Sequence, residues 1–185
     1  MLLISEKLSR YDKIQSSLAD LTYATREQLQ IINNLGGNRN SNRILLDMER
    51  MGYIKSVRYD RKIYYVDTRL KRSEIQHVLM RNNLYIKFGM PSDWKKEVPL
   101  RINGEVRLIP DAMFKRGGEI HFVEIDVMQA MKINYEKIRK YEDISKIISD
   151  QFKHRPTLIF HTISDSRRRK LKKACIKVGI KHKII

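Results

Sequence analysis

Ile109-Pro110-Asp111, followed by Phe122-Val123-Glu124-Ile125-Asp126, decides how the second half of this chain folds. Glu124 lies 13 positions beyond Asp111, room for the end of one strand, a turn at Gly117-Gly118 and a second strand running back. A Pro-Asp at the mouth of one apolar run and an acid-x-acid at the end of the next bring three carboxylates together on a paired sheet. In a chain of net charge +17, such a cluster is read as a site for a divalent cation facing a phosphate, such as Mg²⁺ or Mn²⁺. The competing reading is that Asp111 caps a turn while Glu124 and Asp126 end a solvated strand.

At 185 residues the chain can bury one good core or two small ones. No apolar run approaches the roughly 20 residues that span a bilayer, and charged Glu6 and Lys7 follow the first residues at once. A soluble, unprocessed, cytoplasmic protein without a membrane partner is expected. Cys175 is the only cysteine, so no internal disulfide or cysteine zinc cluster can form, and it reads as a core or interface thiol. The charge is uneven: residues 1–70 carry 12 Lys+Arg against 8 Asp+Glu, whereas residues 153–185 carry 11 against Asp165 alone. Such density points to nucleic acid. Arg167-Arg168-Arg169-Lys170 lacks the bulky apolar face of a membrane-surface helix. The five histidines show no metal-ligand spacing, and neither a Ser/His/Asp set nor a glycine-rich phosphate loop is present.

Residues 1–70 read as three helices and two short strands. Leu18, Leu21 and Tyr23 close the first helical segment, and Thr25 caps the second with Gln28 at the capping-box position. Asn33 to Gly37 breaks it. From Asn38 to Met51, Ile44, Leu45 and Met48 recur at helical spacing, leaving Asn38, Arg39, Asn40, Asn42 and Arg43 at the leading end. Tyr53 to Tyr59 and Lys62 to Val66 then alternate around a two-residue turn, Asp60-Arg61. Three helices and a hairpin are the pattern of a winged helix, whose third helix would offer its polar residues to the major groove while the hairpin, through Lys62, touches the backbone. Asn and Arg suit bidentate contact with adenine and guanine. The other reading makes residues 38–43 a solvated helix start.

Residues 67–72 read as a linker, so a domain boundary is expected between 70 and 71. Ser73 is expected to cap a helix reaching about Phe88. Strands are predicted over Trp94 to Ile102, Arg107 to Phe114 and Glu119 to Val127 with turns at Asn103-Gly104 and Gly117-Gly118 between them, then a helix from about Ala130 to Ser149 and a strand over Thr157 to Phe160. A basic helix capped at Ser164 or Asp165 runs to Val178, and a last strand covers Ile180 to Ile185. The order α-β-β-β-α-β-α-β argues for an α+β or α/β unit with a mixed sheet covered by helices. Arg167, Arg168, Arg169, Lys170, Lys172 and Lys173 make the basic helix the phosphate-contacting element.

That order, with Pro-Asp on the second strand and acid-x-acid on the third, resembles the PD-(D/E)xK nuclease fold. The resemblance implies that Asp111 and Glu124 hold Mg²⁺ and that Glu97 matches the upstream acid of such sites. Asp126 stands where those enzymes carry a lysine, and a carboxylate cannot supply that positive charge. Lys132 and Lys137 on the following helix are the cations that could replace it; the alternative leaves both solvated. The layout also resembles the replication-relaxation proteins of plasmids and mobile elements, which join a winged helix to such a domain. His77-Val78-Leu79-Met80-Arg81-Asn82-Asn83-Leu84-Tyr85, Glu97 before Leu100-Arg101, Ile109 to Phe114, Phe122 to Asp126 and Lys137-Ile138-Arg139-Lys140-Tyr141 carry that likeness. Acid-x-Asp is typical of that family.

The resemblance implies a DNA-binding protein acting in plasmid replication control or as a relaxation-complex accessory, and Asp126 at the lysine position argues for a nuclease-like domain that does not cleave. Double-stranded DNA is the expected partner, replication or relaxase proteins are further ones, and a homodimer is compatible with it. The alternatives are a metal-dependent DNA nickase using Glu97, Asp111 and Glu124, and a winged-helix transcriptional regulator.

Overall fold

Thr25 opens a helix with a reciprocal pair of bonds: its Oγ1 accepts from the Gln28 N–H at 3.2 Å, and Gln28 Oε1 accepts from the Thr25 N–H at 3.1 Å. This is the capping box expected from the sequence. The computed structural model describes residues 2–66 and 71–185, and the chain divides into two units, Met1–Gly89 and Met90–Ile185.

The first unit runs α1 (Leu2–Leu21), β1 (Ala24–Thr25), α2 (Arg26–Ile32), α3 (Asn38–Arg50), β2 (Lys55–Arg58), β3 (Lys62–Tyr65) and α4 (Arg72–Lys87). Its strands form one antiparallel sheet in the order β1-β3-β2. Ile14, Leu18, Leu29, Leu45 and Met48 fill the core beneath. Arg58 pairs with Lys62, so the hairpin loop is the three residues 59–61, not the two expected, and the Tyr59 N–H donates to the Arg61 carbonyl at 3.0 Å.

The expected boundary at 70/71 falls instead after Gly89, because α4 is tied to the first unit. Gln28 Nε2 donates to the Leu79 carbonyl at 2.9 Å and to Asn83 Oδ1 at 2.7 Å. Buried Asn82 donates to the Tyr23 carbonyl at 2.7 Å. Ile75 and Val78 pack with Tyr23 and Ile63. Residues 67–70, most of the expected linker, lie outside the described residues. The helix begins at Arg72 with Lys71 at its N-cap, so Ser73 lies inside it.

The second unit contains β4 (Lys95–Lys96), β5 (Leu100–Ile102), β6 (Glu105–Leu108), β7 (Ala112–Arg116), β8 (Glu119–Ile125), α5 (Met131–Phe152), β9 (Thr157–His161), α6 (Asp165–Val178) and β10 (His182–Ile184). The sheet order is β10-β9-β8-β7-β4: β8, β9 and β10 are parallel, and β7 and β4 run against their neighbours. The mixed sheet is as expected, but two predicted strands are each cut in two. Trp94 to Ile102 is interrupted at Glu97, whose φ is +53°. Arg107 to Phe114 is interrupted at Pro110, which has no N–H to give a ladder. The freed pieces, β5 and β6, pair as a ribbon around Asn103-Gly104, whose φ values of +51° and +83° suit the Asn-Gly turn.

Phe122, Leu158 and Phe160 of the sheet share a core with Ile138, Tyr141 and Ile144 of α5 and Leu171 and Cys175 of α6. Both helices therefore cover one sheet face, and burial pushes the Cys175 thiol up to about 12, which makes it a core group. No helix among the described residues is long and apolar enough to cross a membrane.

Candidate functional site

Period-two alternation turns Phe122 and Glu124 of β8 toward the helix-covered face, and Asp126, just past the strand, continues that row. Ala112 pairs with Val123, so Asp111 falls one step further, abreast of Glu124. Asp111 Oδ2 accepts from the Ile125 N–H at 2.6 Å. Lys96 pairs with Ala112, which brings Glu97 to the same end of the sheet, with an exposed side chain.

From α5, Asn134, Lys137 and Tyr141 recur three and four positions apart and so share one helical face. Lys137 Nζ donates to Glu124 Oε2 at 2.5 Å and Tyr141 Oη to Oε1 at 2.6 Å. Glu124 is 2% exposed. Burial pushes its carboxyl up to about 7, with the neighbouring Asp111 adding to the rise and Lys137 and Tyr141 opposing it. A lysine in contact would ordinarily hold a carboxylate low; here loss of hydration outweighs it. Burial and the adjacent Glu124 push the Tyr141 hydroxyl well above its ordinary value.

Asp126, 1% exposed, is held by a second cation. Arg167, in the first turn of α6, donates from Nε to Oδ2 and from Nη2 to Oδ1, both at 2.6 Å, and also to the Gln129 carbonyl. Asn134 Nδ2 donates to Oδ1 at 2.9 Å, and Gln129 Nε2 steadies Asn134 at 2.9 Å. Arg167, expected to meet phosphate, is thus committed to a buried carboxylate. Lys137 reaches Glu124, whereas Lys132, the other candidate cation, is exposed. Helical phase decides this, since Lys137 lies on the inner face with Asn134 and Tyr141.

The acids as arranged do not fit Mg²⁺ or Mn²⁺. Both Glu124 oxygens are engaged, and one Asp111 oxygen is bound to the backbone. Among the described residues no group of three or more His, Cys, Asp or Glu could hold a metal ion. A hard cation needs oxygens free to complete a near-octahedral set.

The remaining cations divide in the same way. Arg168 pairs with Asp165 and donates to the Thr162 carbonyl, whereas Arg169, Lys170, Lys172 and Lys173 are exposed on α6. In the first unit, Asn38, Arg39, Asn42 and Arg43 are exposed on α3. Asn40 instead closes the α2–α3 turn, donating to the Leu35 carbonyl at 2.7 Å and accepting from Arg43 at 3.0 Å. Lys62 is paired with Glu49 at 2.6 Å rather than projecting from the hairpin. Leu46, 42% exposed, and Arg50 extend the exposed face of α3, and Arg58 and Arg61 are exposed at the hairpin tip. These four are not among the residues expected from the sequence. Helical spacing from Asn42 and Arg43 signals the first two, and the turn position signals the others.

The replication-relaxation family model matches residues 59–159, a span that holds Asp111, Glu124, Asp126, Lys137 and Tyr141. It covers more than half of the chain, and the chain belongs to the replication-relaxation family. No curated protein and no solved structure matches the chain. Helices α3 and α6 lie outside the matched span.

Both buried pairs can be tested through stability. Arg167→Met strands the Asp126 carboxylate and is expected to lower unfolding free energy by about 3–5 kcal/mol, measured in urea, while Arg169→Ala changes it by less than about 0.5 kcal/mol. Glu124 holds its proton up to about pH 7 when folded, against 4.5 for the ordinary group. The folded state therefore binds more protons between those values, so this contribution is complete below about 4.5 and is lost as pH rises through 7. The melting temperature is expected to fall between pH 5 and pH 8, and Glu124→Gln is expected to flatten that fall.

Proposed function

We propose that this replication-relaxation protein is a DNA-binding protein of a plasmid or mobile element that acts in replication control or as a relaxation accessory. The first unit is a winged helix that selects a duplex site, and the second is a PD-(D/E)xK-like unit that does not cleave. The observation that carries the reading is the order α1-β1-α2-α3-β2-β3 with the sheet order β1-β3-β2. A winged helix has this build, and its third helix meets the major groove. Here α3 exposes Asn38, Arg39, Asn42 and Arg43, side chains shaped for base edges.

Loss of cleavage is supported by the saturation of the acids. Asp126 stands where a nuclease needs a cation, and its carboxylate is occupied by Arg167. Lys137 is engaged by Glu124. The same contact also favours a second reading, a DNA nickase, since it sets a lysine on Glu124, the acid abreast of Asp111.

Supercoiled plasmid incubated with EDTA, Mg²⁺ or Mn²⁺ separates the two. A shifted but uncut plasmid in every lane is expected; metal-dependent nicking that Asp111→Ala abolishes would establish the nickase instead. Arg39→Ala and Arg43→Ala are each expected to weaken a selected duplex site by about 1–3 kcal/mol per base contact in a binding titration. Equal loss on random duplex would show that they touch only backbone.

A further inference from the structure

The outer surfaces of α5 and α6 leave a groove of about 420 Å³ between them, lined by residues other than the saturated acids and their partners. Its rim carries Arg139 from α5 and Lys170, Lys173 and Lys177 from α6, and no acid lines it. Among the described residues none of these four cations has an acid partner, unlike Lys137, Arg167 and Arg168 on the same two helices. Its floor is apolar, formed by Ile138, Ala174 and Val178, and Tyr135 stands at its edge, 38% exposed.

We propose that this groove binds single-stranded DNA, with phosphates along the α6 lysines and Arg139 and a base against Tyr135 and the apolar floor. The proposal rests on the reading of the protein as DNA-binding and adds the strand state that the second unit recognises. Lys170, Lys173 and Lys177 climb α6 in steps of about 4.5 and 6 Å at the helical rise, a ladder suited to a flexible chain with one charge per unit. A cationic groove with an aromatic face beside it is the general build of a single-strand site. A duplex presents its phosphates on a convex rod with its bases stacked inside, so it could touch the rim but would leave the floor wet. A single strand offers phosphates and base faces together. An acidic peptide would match the rim but offers no succession of planar base faces to Tyr135 and the apolar floor.

The test titrates the full chain against a fluorescein-labelled oligothymidylate of about 12 nucleotides, read by anisotropy. The same length of abasic strand, a hairpin duplex carrying the selected site and polyglutamate are run in parallel. Tyr135→Ala is expected to weaken oligothymidylate binding about tenfold and to leave abasic-strand and duplex binding unchanged, with Tyr135→Phe restoring the affinity. Lys170→Ala with Lys173→Ala is expected to reduce the salt slope by about 0.7 for each phosphate left unneutralised. Arg39→Ala with Arg43→Ala is expected to weaken the duplex and spare the single strand, which keeps this inference separable from the winged-helix reading. Abasic strand or polyglutamate binding as tightly as oligothymidylate would overturn the proposal in favour of a general anion surface. So would a Tyr135→Ala protein that binds oligothymidylate unchanged. Failure of the duplex arm alone would instead count against the winged helix.

Discussion

Two carboxylates on one buried face of a sheet must be neutralised or protonated, and that constraint organises the second unit. Glu124 and Asp126 are two positions apart at the end of β8, so alternation sends both under the helices, where charge without hydration is costly. The chain answers with a cation from each covering helix: Lys137 from α5 on Glu124, and Arg167 from α6 on Asp126. Each pair ties a crossover helix to the end of β8. Asn134 joins the two sets by bonding Asp126 from the same face of α5 that presents Lys137 and Tyr141.

The two sites differ in kind. Asp126 meets a planar guanidinium that satisfies both oxygens at once, with an amide filling in, and such a bidentate pair fixes orientation as well as distance. Glu124 meets a single ammonium and a phenol, and has Asp111 as a like-charged neighbour, which leaves its proton held up to about pH 7. A carboxyl balanced near neutrality in contact with Tyr141 and Lys137 is a poorer metal ligand than an ionised one, because the cation must displace both a proton and two hydrogen-bond donors.

Legible in the sequence was whatever depends on neighbours along the chain. The Thr25–Gln28 box spans three residues, the Asn103-Gly104 turn two, and the juxtaposition of Asp111 with Glu124 follows from one hairpin. Local pattern fails where a partner is remote. Arg167 reaches Asp126 across 41 positions, so a run of four cations gives no sign that its first member faces inward. Gln28 reaches Leu79 across 51 positions, which is why α4 belongs to the first unit although the polar segment before it reads as a boundary. The place of Lys62 on a hairpin suggests a free cation, but Glu49 on α3 lies within reach once the hairpin folds back. Lys132 and Lys137 differ only by helical phase, and that phase is set by the core residues Ile138 and Tyr141.

The net charge of +17 therefore overstates what is available to a partner, and its distribution matters more than its size. Cations that balance buried or nearby acids, such as Arg167, Lys137, Lys62 and Arg168, are consumed by the fold. Exposed cations remain on the outer side of α6 and on the exposed face of α3, two helices outside the span matched by the family model, as well as at Arg61 and Arg139 within it. A sheet end closed by its own ion pairs cannot also neutralise an incoming phosphate, since each cation there would have to abandon a carboxylate in low dielectric. An exposed lysine on α6, by contrast, would give up only water on meeting an anion. The core residues Ile138, Tyr141 and Leu171 set the orientation of α5 and α6, and the buried pairs add a tie at the end of the sheet.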